Sequence, residues 1–286
     1  MIQLKNEKLT IILDEKGAEL SSIKFNGHEY LWQADPKYWG KHSPVLFPIV
    51  GELKNGTYYF ENSEYKLSRH GFARDKVFEY KKISGVTALF TLKANKETLE
   101  VYPFHFVFQV QYEIENNLLR CTYIVKNTAD TDMFFSVGGH PAFKVPIVDN
   151  LQYMDYSLRF PEDAALKRYL LQNGFTGDET ETIQLDQHEL HLDPSLFYSD
   201  AIVLKELKSN EITLHTARDT RSIRFRFEGF PYFGIWAAKD APFVCLEPWC
   251  GIADNIHHDQ QLIHKEGINQ LPAGGIWERT WSVVLF

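Results

Sequence analysis

The sequence contains few cysteines and no long uncharged hydrophobic run. Its 286 residues include three cysteines, Cys121, Cys245 and Cys250, which cannot all pair and which lack the doubled CxxC spacing of a structural zinc site. Reduced thiols of this kind are typical of a cytoplasmic protein. No stretch of about 20 apolar residues is present to span a membrane, and residues 1–7 lack the basic region and apolar run of a signal peptide. We therefore expect a soluble, cytoplasmic protein with no membrane partner.

An excess of basic residues is also missing. The chain has 30 basic and 38 acidic side chains, a net charge of -8, whereas binding to nucleic acid depends on clustered Lys and Arg that neutralise phosphates. The composition therefore predicts no nucleic-acid partner. Hydrophobic residues make up 44% of the chain, enough for a packed core. Because no linker, low-complexity tract or fixed-period repeat divides the chain, we expect a single domain over residues 1–286, with the oligomeric state left open.

Helical periodicity is scarce, and twofold alternation takes its place. Apolar residues alternate with polar ones over 106–114 and again over 119–125, and Asn116 and Asn117 break the run, which predicts a β-hairpin. Similar alternation predicts strands at 8–13, 57–67, 223–227 and 281–286. Short helical turns are predicted only at 35–38 and 161–171. The expected fold is all-β, a large antiparallel β-sandwich with few short helices.

Four segments depart from the strand pattern and combine Gly or Pro with ionisable residues. They are residues 42–51, 69–74, 138–143 and 246–251. Glycine permits close backbone approach and proline fixes the direction of the chain, so each segment can hold one side chain rigidly. General acid–base catalysis requires such placement.

Glu247 is the strongest single candidate in these segments. It follows the apolar run 243–246, which places its carboxylate at the end of an expected buried strand, where it must be paired, hydrogen-bonded or functional. His70 and His140 each adjoin a glycine, and a structural histidine is the alternative for either one. The histidines at 188–191 and 257–264 lie among acidic and polar residues without HExxH spacing, which indicates solvated loops rather than metal sites.

Together these segments resemble the aldose 1-epimerase, or galactose mutarotase, family and within it the LacX-like branch. The most specific motifs are RHGFAR at 69–74, GHPAF at 139–143 and EPW at 247–249, in that order. The resemblance implies a β-supersandwich fold. It also implies an isomerase that interconverts the α and β anomers of a monosaccharide and needs no metal or redox cofactor.

The resemblance assigns roles to individual residues. Glu247 matches the base that takes the proton from the anomeric hydroxyl, and His140 matches the acid that protonates the ring oxygen. His70 matches a histidine that hydrogen-bonds a sugar oxygen near the ring. Asp200 matches, more loosely, an aspartate that binds sugar hydroxyls, although an aspartate before an apolar strand also caps turns. The base and acid are expected to face each other across a cleft about as wide as one pyranose.

The sequence departs from the family pattern in places that bear on substrate. Relatives carry an arginine just upstream of the Pro-Val segment, where this sequence reads WGKHS at 39–43, so Lys41, His42 or Arg74 is the candidate replacement. Gly139 precedes the acid histidine where galactose-specific members have asparagine, so galactose specificity is not implied. Together with Arg69, the cations at 41 and 74 suit a phosphate group, which makes a phosphorylated aldose an alternative substrate.

Three further interpretations stay open. Trp236 and Trp249 are either aromatic platforms for a sugar face or core residues. The protein is alternatively a catalytically silent sugar-binding or regulatory protein on the same fold. A metal-dependent enzyme of cupin type would use His70, His140 and Glu247 as ligands, but the sequence lacks the expected His-x-His pair followed by a glutamate.

Overall fold

Antiparallel strands dominate the computed structural model, which describes residues 1–286 and has 50% of them in strands and 8% in helices. In chain order the strands are β1 Ile2–Lys5, β2 Leu9–Leu13, β3 Leu20–Phe25, β4 His28–Glu29, β5 Val45–Leu46, β6 Thr57–Phe60, β7 Ser63–Lys66, β8 Glu79–Lys82, β9 Thr87–Lys93, β10 Phe106–Glu115, β11 Leu118–Asn127, β12 Met133–Phe135, β13 Val137–Gly139, β14 Ala142–Lys144, β15 Ser157–Arg159, β16 Ala165–Gln172, β17 Phe175–Gln184, β18 Glu189–His191, β19 Ile202–Leu204, β20 Glu211–Thr216, β21 Asp219–Arg226, β22 Tyr232–Trp236, β23 Phe243–Cys250, β24 Asn269–Leu271 and β25 Ile276–Leu285.

Helices are short, as the sequence predicts. The single α-helix, α1, spans Lys96–Val101 and begins with a capping box, in which Asn95 and Thr98 each accept a hydrogen bond from the other's backbone N–H. The 3₁₀ helices are Lys54–Gly56, Ala73–Asp75, Tyr153–Asp155, Pro194–Phe197 and Leu262–His264. None of these helices is long and apolar enough to cross a bilayer.

The two predicted helical turns have different outcomes. At 35–38 the chain makes one hydrogen-bonded turn, with the N–H groups of Tyr38 and Trp39 both donating to the Asp35 carbonyl. The prediction for 161–171 is wrong, because most of that segment is strand β16, paired with β17 and β19. The strand buries Leu166 and Arg168 and exposes Lys167 between them. Because the buried position 168 holds an arginine, the apolar–polar alternation of a strand is not visible in this segment.

Two large antiparallel sheets form the body of the fold. One has nine strands in the order β18-β15-β20-β21-β25-β11-β10-β9-β8, and the other has eight, with the path β17-β16-β19-β22-β23-β13-β5 and β14 added beside β23. A four-stranded sheet, β1-β2-β3-β4, and the pairs β12–β24 and β6–β7 complete the structure. The predicted hairpin is confirmed, since Glu115 pairs with Leu118 across the Asn116–Asn117 turn.

The two large sheets share one hydrophobic core. A continuous cluster of 71 buried residues draws on both sheets, and aromatic rings meet between them. Phe47 stacks on Phe108 with ring centroids 4.3 Å apart, and Phe143 meets Phe225 edge-on at 5.9 Å. Strand alternation turns one face of each sheet towards this core. The predicted all-β sandwich is confirmed.

Candidate active site

Strand β23 carries the candidate base in the interior of the eight-stranded sheet. All eight of its residues are buried, and Glu247 is 2% exposed. Glu247 lies within the strand and pairs with Gly234 of β22, so the expectation that it ends the strand is wrong. Pro248 does not stop the strand, because pairing with β13 resumes at Trp249. The carboxylate therefore stands on a rigid support between two neighbouring strands.

His140 directly follows β13, the strand on the other side of β23. Its backbone N–H donates to the Pro44 carbonyl at 3.1 Å, and its Nε2 lies 3.3 Å from Oε2 of Glu247. The two side chains therefore meet in one place, but much closer than the expected span of a pyranose.

The pair lies in a cavity of about 360 Å³, within the size range of small-molecule sites. Eight of the nine predicted site residues line it: Lys41, His70, Arg74, His140, Asp200, Trp236, Glu247 and Trp249. His42 is the exception. It lies in an adjoining depression with its Nδ1 3.9 Å from Oε1 of Glu19, which also accepts the N–H groups of His42 and Ser43. The prediction that His42 replaces the missing arginine is therefore wrong, because His42 does not line the cavity. Lys41 does line it.

A tight turn presents His70 to the cavity. His70 and Gly71 both have positive φ, 67° and 70°, and a Cβ at Gly71 would collide with the carbonyl of Phe47. Only glycine fits this position. Nδ1 of His70 accepts the N–H of Gly51 at 3.0 Å, so the proton of the neutral ring is on Nε2, where it is available as a hydrogen-bond donor.

Aromatic rings hold the imidazole of His140. Trp39 stacks on it with centroids 5.0 Å apart, and Trp236 meets it edge-on at 5.7 Å. Nδ1 of His140 is buried and has no hydrogen-bond partner, so packing rather than a polar partner fixes the ring. The sequence reasoning missed Trp39, although it is the first residue of the segment that replaces the family's arginine.

Asp200 and Trp249 also line the cavity. Asp200 has a φ of 136° and its Oδ1 accepts the N–H of Ala201 at 2.7 Å, so it serves locally as a turn residue while lining the cavity. The Trp249 indole packs over Gly234, where a Cβ would collide with its ring. Its Nε1 is buried and approaches Glu247 without completing a hydrogen bond. Leu171 and Thr176, from the β16–β17 hairpin, also line the cavity and were missed. Leu171 lies in the segment 161–171, where a helical turn was expected.

Three basic side chains, Lys41, Arg69 and Arg74, border the cavity, and they differ in the partners that they have. Arg69 donates from Nε to Glu52 at 2.7 Å. Arg74 donates to the carbonyl of Arg69 at 2.7 Å, while its Nε is buried without a hydrogen-bond partner. Lys41 forms no ion pair. The cavity therefore has a positive edge in an otherwise acidic protein.

Burial controls the protonation of the catalytic pair. It raises the pKa of Glu247 well above its usual range, reinforced by the charge of Asp200 and opposed by the Trp249 indole and Arg69. Burial also lowers the pKa of His140 to about 3, with Arg74, Lys41 and Arg69 acting in the same direction. Burial and the neighbouring His140 lower the pKa of His70 in the same way. Burial therefore disfavours the charged form of both side chains.

The cavity does not assemble the ligand set of a cupin-type centre. Ligand atoms of His140, Cys245 and Glu247 lie within 4.8 Å of one another, and His70 is not part of this group. The interpretation with His70, His140 and Glu247 as ligands is wrong, because Nδ1 of His70 is already engaged by Gly51 and its ring lies 5.9 Å from that of His140.

Comparison with known proteins identifies the class to which this fold and site belong. The family described as Aldose 1-epimerase matches residues 1–268, and the chain belongs to that family. It is 35% identical to the plasmid-encoded protein LacX of Lactococcus lactis subsp. lactis over 281 residues, 94% of each chain. The motif resemblance is therefore confirmed, and family and fold support a mutarotase-like isomerase.

Solved structures agree with this assignment. The galactose mutarotase related enzyme from Lactobacillus acidophilus has a TM-score of 0.95 and 34% identity, with 100% of this chain and 97% of that chain covered. A galactose mutarotase-like protein from Lactobacillus casei ATCC 334 has a TM-score of 0.92 and 30% identity, with 100% of both chains covered. The predicted galactose mutarotase-like fold is confirmed.

Proposed function

We propose that this protein is an aldose 1-epimerase in which Glu247 is the base and His140 is the acid. The observation that carries the proposal is the 3.3 Å approach of the two side chains inside a cavity sized for a monosaccharide. An acid and a base that lie side by side can act together on a hemiacetal, because its hydroxyl oxygen and its ring oxygen are both bonded to the anomeric carbon.

The reaction needs one proton, which circulates between protein and sugar. Ionised Glu247 takes the proton of the C1 hydroxyl while protonated His140 gives its proton to the ring oxygen. The bond between C1 and the ring oxygen breaks and leaves an open-chain aldehyde. Rotation about the C1–C2 bond exposes the other carbonyl face, and the reverse transfers close the ring to the opposite anomer and restore the protein.

The pKa shifts favour this ring-opening step. A carboxylate with a raised pKa is a stronger base, and an imidazolium with a lowered pKa is a stronger acid. In this proposal one proton transfer from Glu247 to His140 across their 3.3 Å contact produces the reactive state. Sugar hydroxyls entering the cavity would stabilise that charge-separated state through hydrogen bonds.

The remaining residues suit binding of the sugar. His70 offers its Nε2–H to an oxygen near the ring, and Asp200 offers a carboxylate oxygen to sugar hydroxyls. Trp236 and Trp249 provide apolar ring surface for a sugar face. The three cysteines are unpaired and buried, which supports a cytoplasmic site of action.

The positive edge of the cavity supports a phosphorylated aldose as a second candidate substrate. Lys41 has no carboxylate partner, and Arg74 has only Asp75, whose Oδ2 lies 3.7 Å from its Nε without a hydrogen bond, so both side chains retain hydrogen-bonding capacity for an anion. Guanidinium and ammonium groups bind phosphate well.

The test is anomer exchange measured by polarimetry or NMR with free and 6-phosphorylated aldoses. We expect accelerated equilibration with at least one of them, and a loss of roughly 10²- to 10⁴-fold in kcat with Glu247→Gln. Glu247→Gln should still bind the sugar. Tight sugar binding without any acceleration by the native protein would instead identify a catalytically silent sugar-binding protein.

A further inference from the structure

Cys245 lies beside the catalytic pair and has no part in the proposed reaction. It precedes Glu247 by two residues on β23, so both side chains project from the same face of the strand. The side chain is fully buried and its thiol is free. Its Sγ, a nitrogen of His140 and a carboxylate oxygen of Glu247 all lie within 4.8 Å of one another.

We propose that His140, Cys245 and Glu247 form a binding site for a thiophilic divalent cation, Zn²⁺, that blocks the catalytic pair. Zinc binds sulfur, imidazole nitrogen and carboxylate oxygen at about 2.0 to 2.3 Å, and tetrahedral geometry then separates two ligand atoms by about 3.5 Å. His140 and Glu247 already approach to 3.3 Å. The separations to Sγ are at most 4.8 Å, so the side chains must shift towards the ion when it binds.

The geometry leaves one coordination position open. Three protein ligands plus one exchangeable water or substrate oxygen is the arrangement of open zinc sites. Glu247 and His140 line the cavity whereas Cys245 lies behind them, so the open position faces the cavity and the ion enters from it.

The ligand set selects for soft and borderline cations. A thiolate and an imidazole favour Zn²⁺ over Mg²⁺ and Ca²⁺, which take oxygen ligands. Zinc-bound histidines in tight sites usually donate their second N–H to an acceptor, and Nδ1 of His140 has none. Binding is therefore weaker than at a dedicated structural zinc site, as suits an inhibitory ion rather than a resident one.

Zinc binding would displace the thiol proton of Cys245, whose pKa burial raises, and the proton of the Glu247–His140 pair, and would release both to water. The bound ion would then occupy the lone pairs that the reaction needs. With Nε2 of His140 and an oxygen of Glu247 coordinated, neither group can transfer a proton to or from the sugar. Inhibition in this sense rests on the proposed function, whereas binding of the metal does not.

The experiment measures binding with Co²⁺ as a spectroscopic substitute and with Zn²⁺ by calorimetry. The native protein should show the near-ultraviolet charge-transfer absorption of a thiolate bound to Co²⁺, with one Zn²⁺ displacing it. Cys245→Ser should lose this absorption and bind Zn²⁺ at least ~10-fold more weakly. Cys250→Ser is the matched control, because it makes the same change on the same strand, outside the cavity, and should keep both signals.

Activity provides a separate readout. Zn²⁺ should abolish anomer exchange by the native protein and by Cys250→Ser. The rate of Cys245→Ser with Zn²⁺ should equal its own rate without metal. Mg²⁺ should change the rate of none of the three proteins. If Cys245→Ser does not fold, the Co²⁺ spectrum of the native protein decides alone. Absence of the thiolate absorption, or equal Zn²⁺ binding by both variants, overturns the proposal. A thiolate–Co²⁺ spectrum in a protein without mutarotase activity would refute the proposed function and leave the metal site intact.

Discussion

At the scale of single residues, the shifted pKa values of Glu247 and His140 bear on the pH dependence of the proposed activity. The proposed reaction needs one proton on the pair. Because burial lowers the pKa of His140 to about 3, kcat/KM should show no acidic limb in the ordinary histidine range. The raised pKa of Glu247 sets the alkaline limit.

The distinguishing result is therefore the absence of a step near the ordinary histidine pKa of about 6.5. The measurement is kcat/KM for anomer exchange from roughly pH 4 to pH 9, corrected for the buffer-catalysed rate. His70 should add no step either, because burial lowers its pKa as well. An acidic limb centred near about 6.5 would show that one of these histidines titrates as if exposed to water.

Trp39 should act as a positioning residue for His140. Its ring stacks on an imidazole that has no polar partner at Nδ1, and its face would also stabilise the imidazolium of the proposed reaction. We expect Trp39→Ala to lower kcat by roughly 3- to 30-fold and to change KM less. Trp39→Phe keeps a stacking ring and should restore most of the rate. Equal losses of kcat in the two variants would contradict a stacking role.

At the scale of secondary-structure elements, the site depends on turns that lie between strands. The turn at His70 and Gly71 combines positive φ with a close approach to the Phe47 carbonyl. Gly71→Ala should therefore cost more than the ~1 to 2 kcal/mol of an alanine with positive φ, and should displace His70.

Gly274 provides the matched control for this change. It has a φ of 67° but nothing within 4 Å of an added Cβ, so Gly274→Ala should show the backbone cost alone. Thermal denaturation of both variants measures the difference, and a drop of about 2 to 4 °C is expected for each kcal/mol. Equal melting temperatures for the two variants would show that the backbone at Gly71 relaxes without cost.

At the scale of the whole molecule, contacts between distant parts of the chain join the sheets. The last strand, β25, lies between β21 and β11 in the nine-stranded sheet, and the hydroxyl of Tyr30 donates to the carbonyl of Phe286. We propose that residues 1–286 unfold as one domain. Calorimetry should give a single transition whose calorimetric and van't Hoff enthalpies agree, whereas two separated transitions would divide the chain into domains.

The sequence by itself determined the elements that depend on near neighbours and on local chemistry. Alternation from 106 to 125 gave the β10–β11 hairpin, because the side-chain period of a strand is a local property. The three motifs pointed to the family because their residues and their order can be read directly from the chain. The inward Arg168 misled the same reasoning, since the carbonyl that accepts its hydrogen bond, that of Asp200, is 32 residues away along the chain.

Only the tertiary structure decided how these residues meet. Sheet order places β13 beside β23, and this pairing of distant segments brings His140 within 3.3 Å of Glu247. The same packing put Trp39 against His140, turned His42 towards Glu19 and placed Cys245 beside the pair. Periodicity cannot specify such contacts, because it records which face of a strand a residue occupies but not which strand lies alongside.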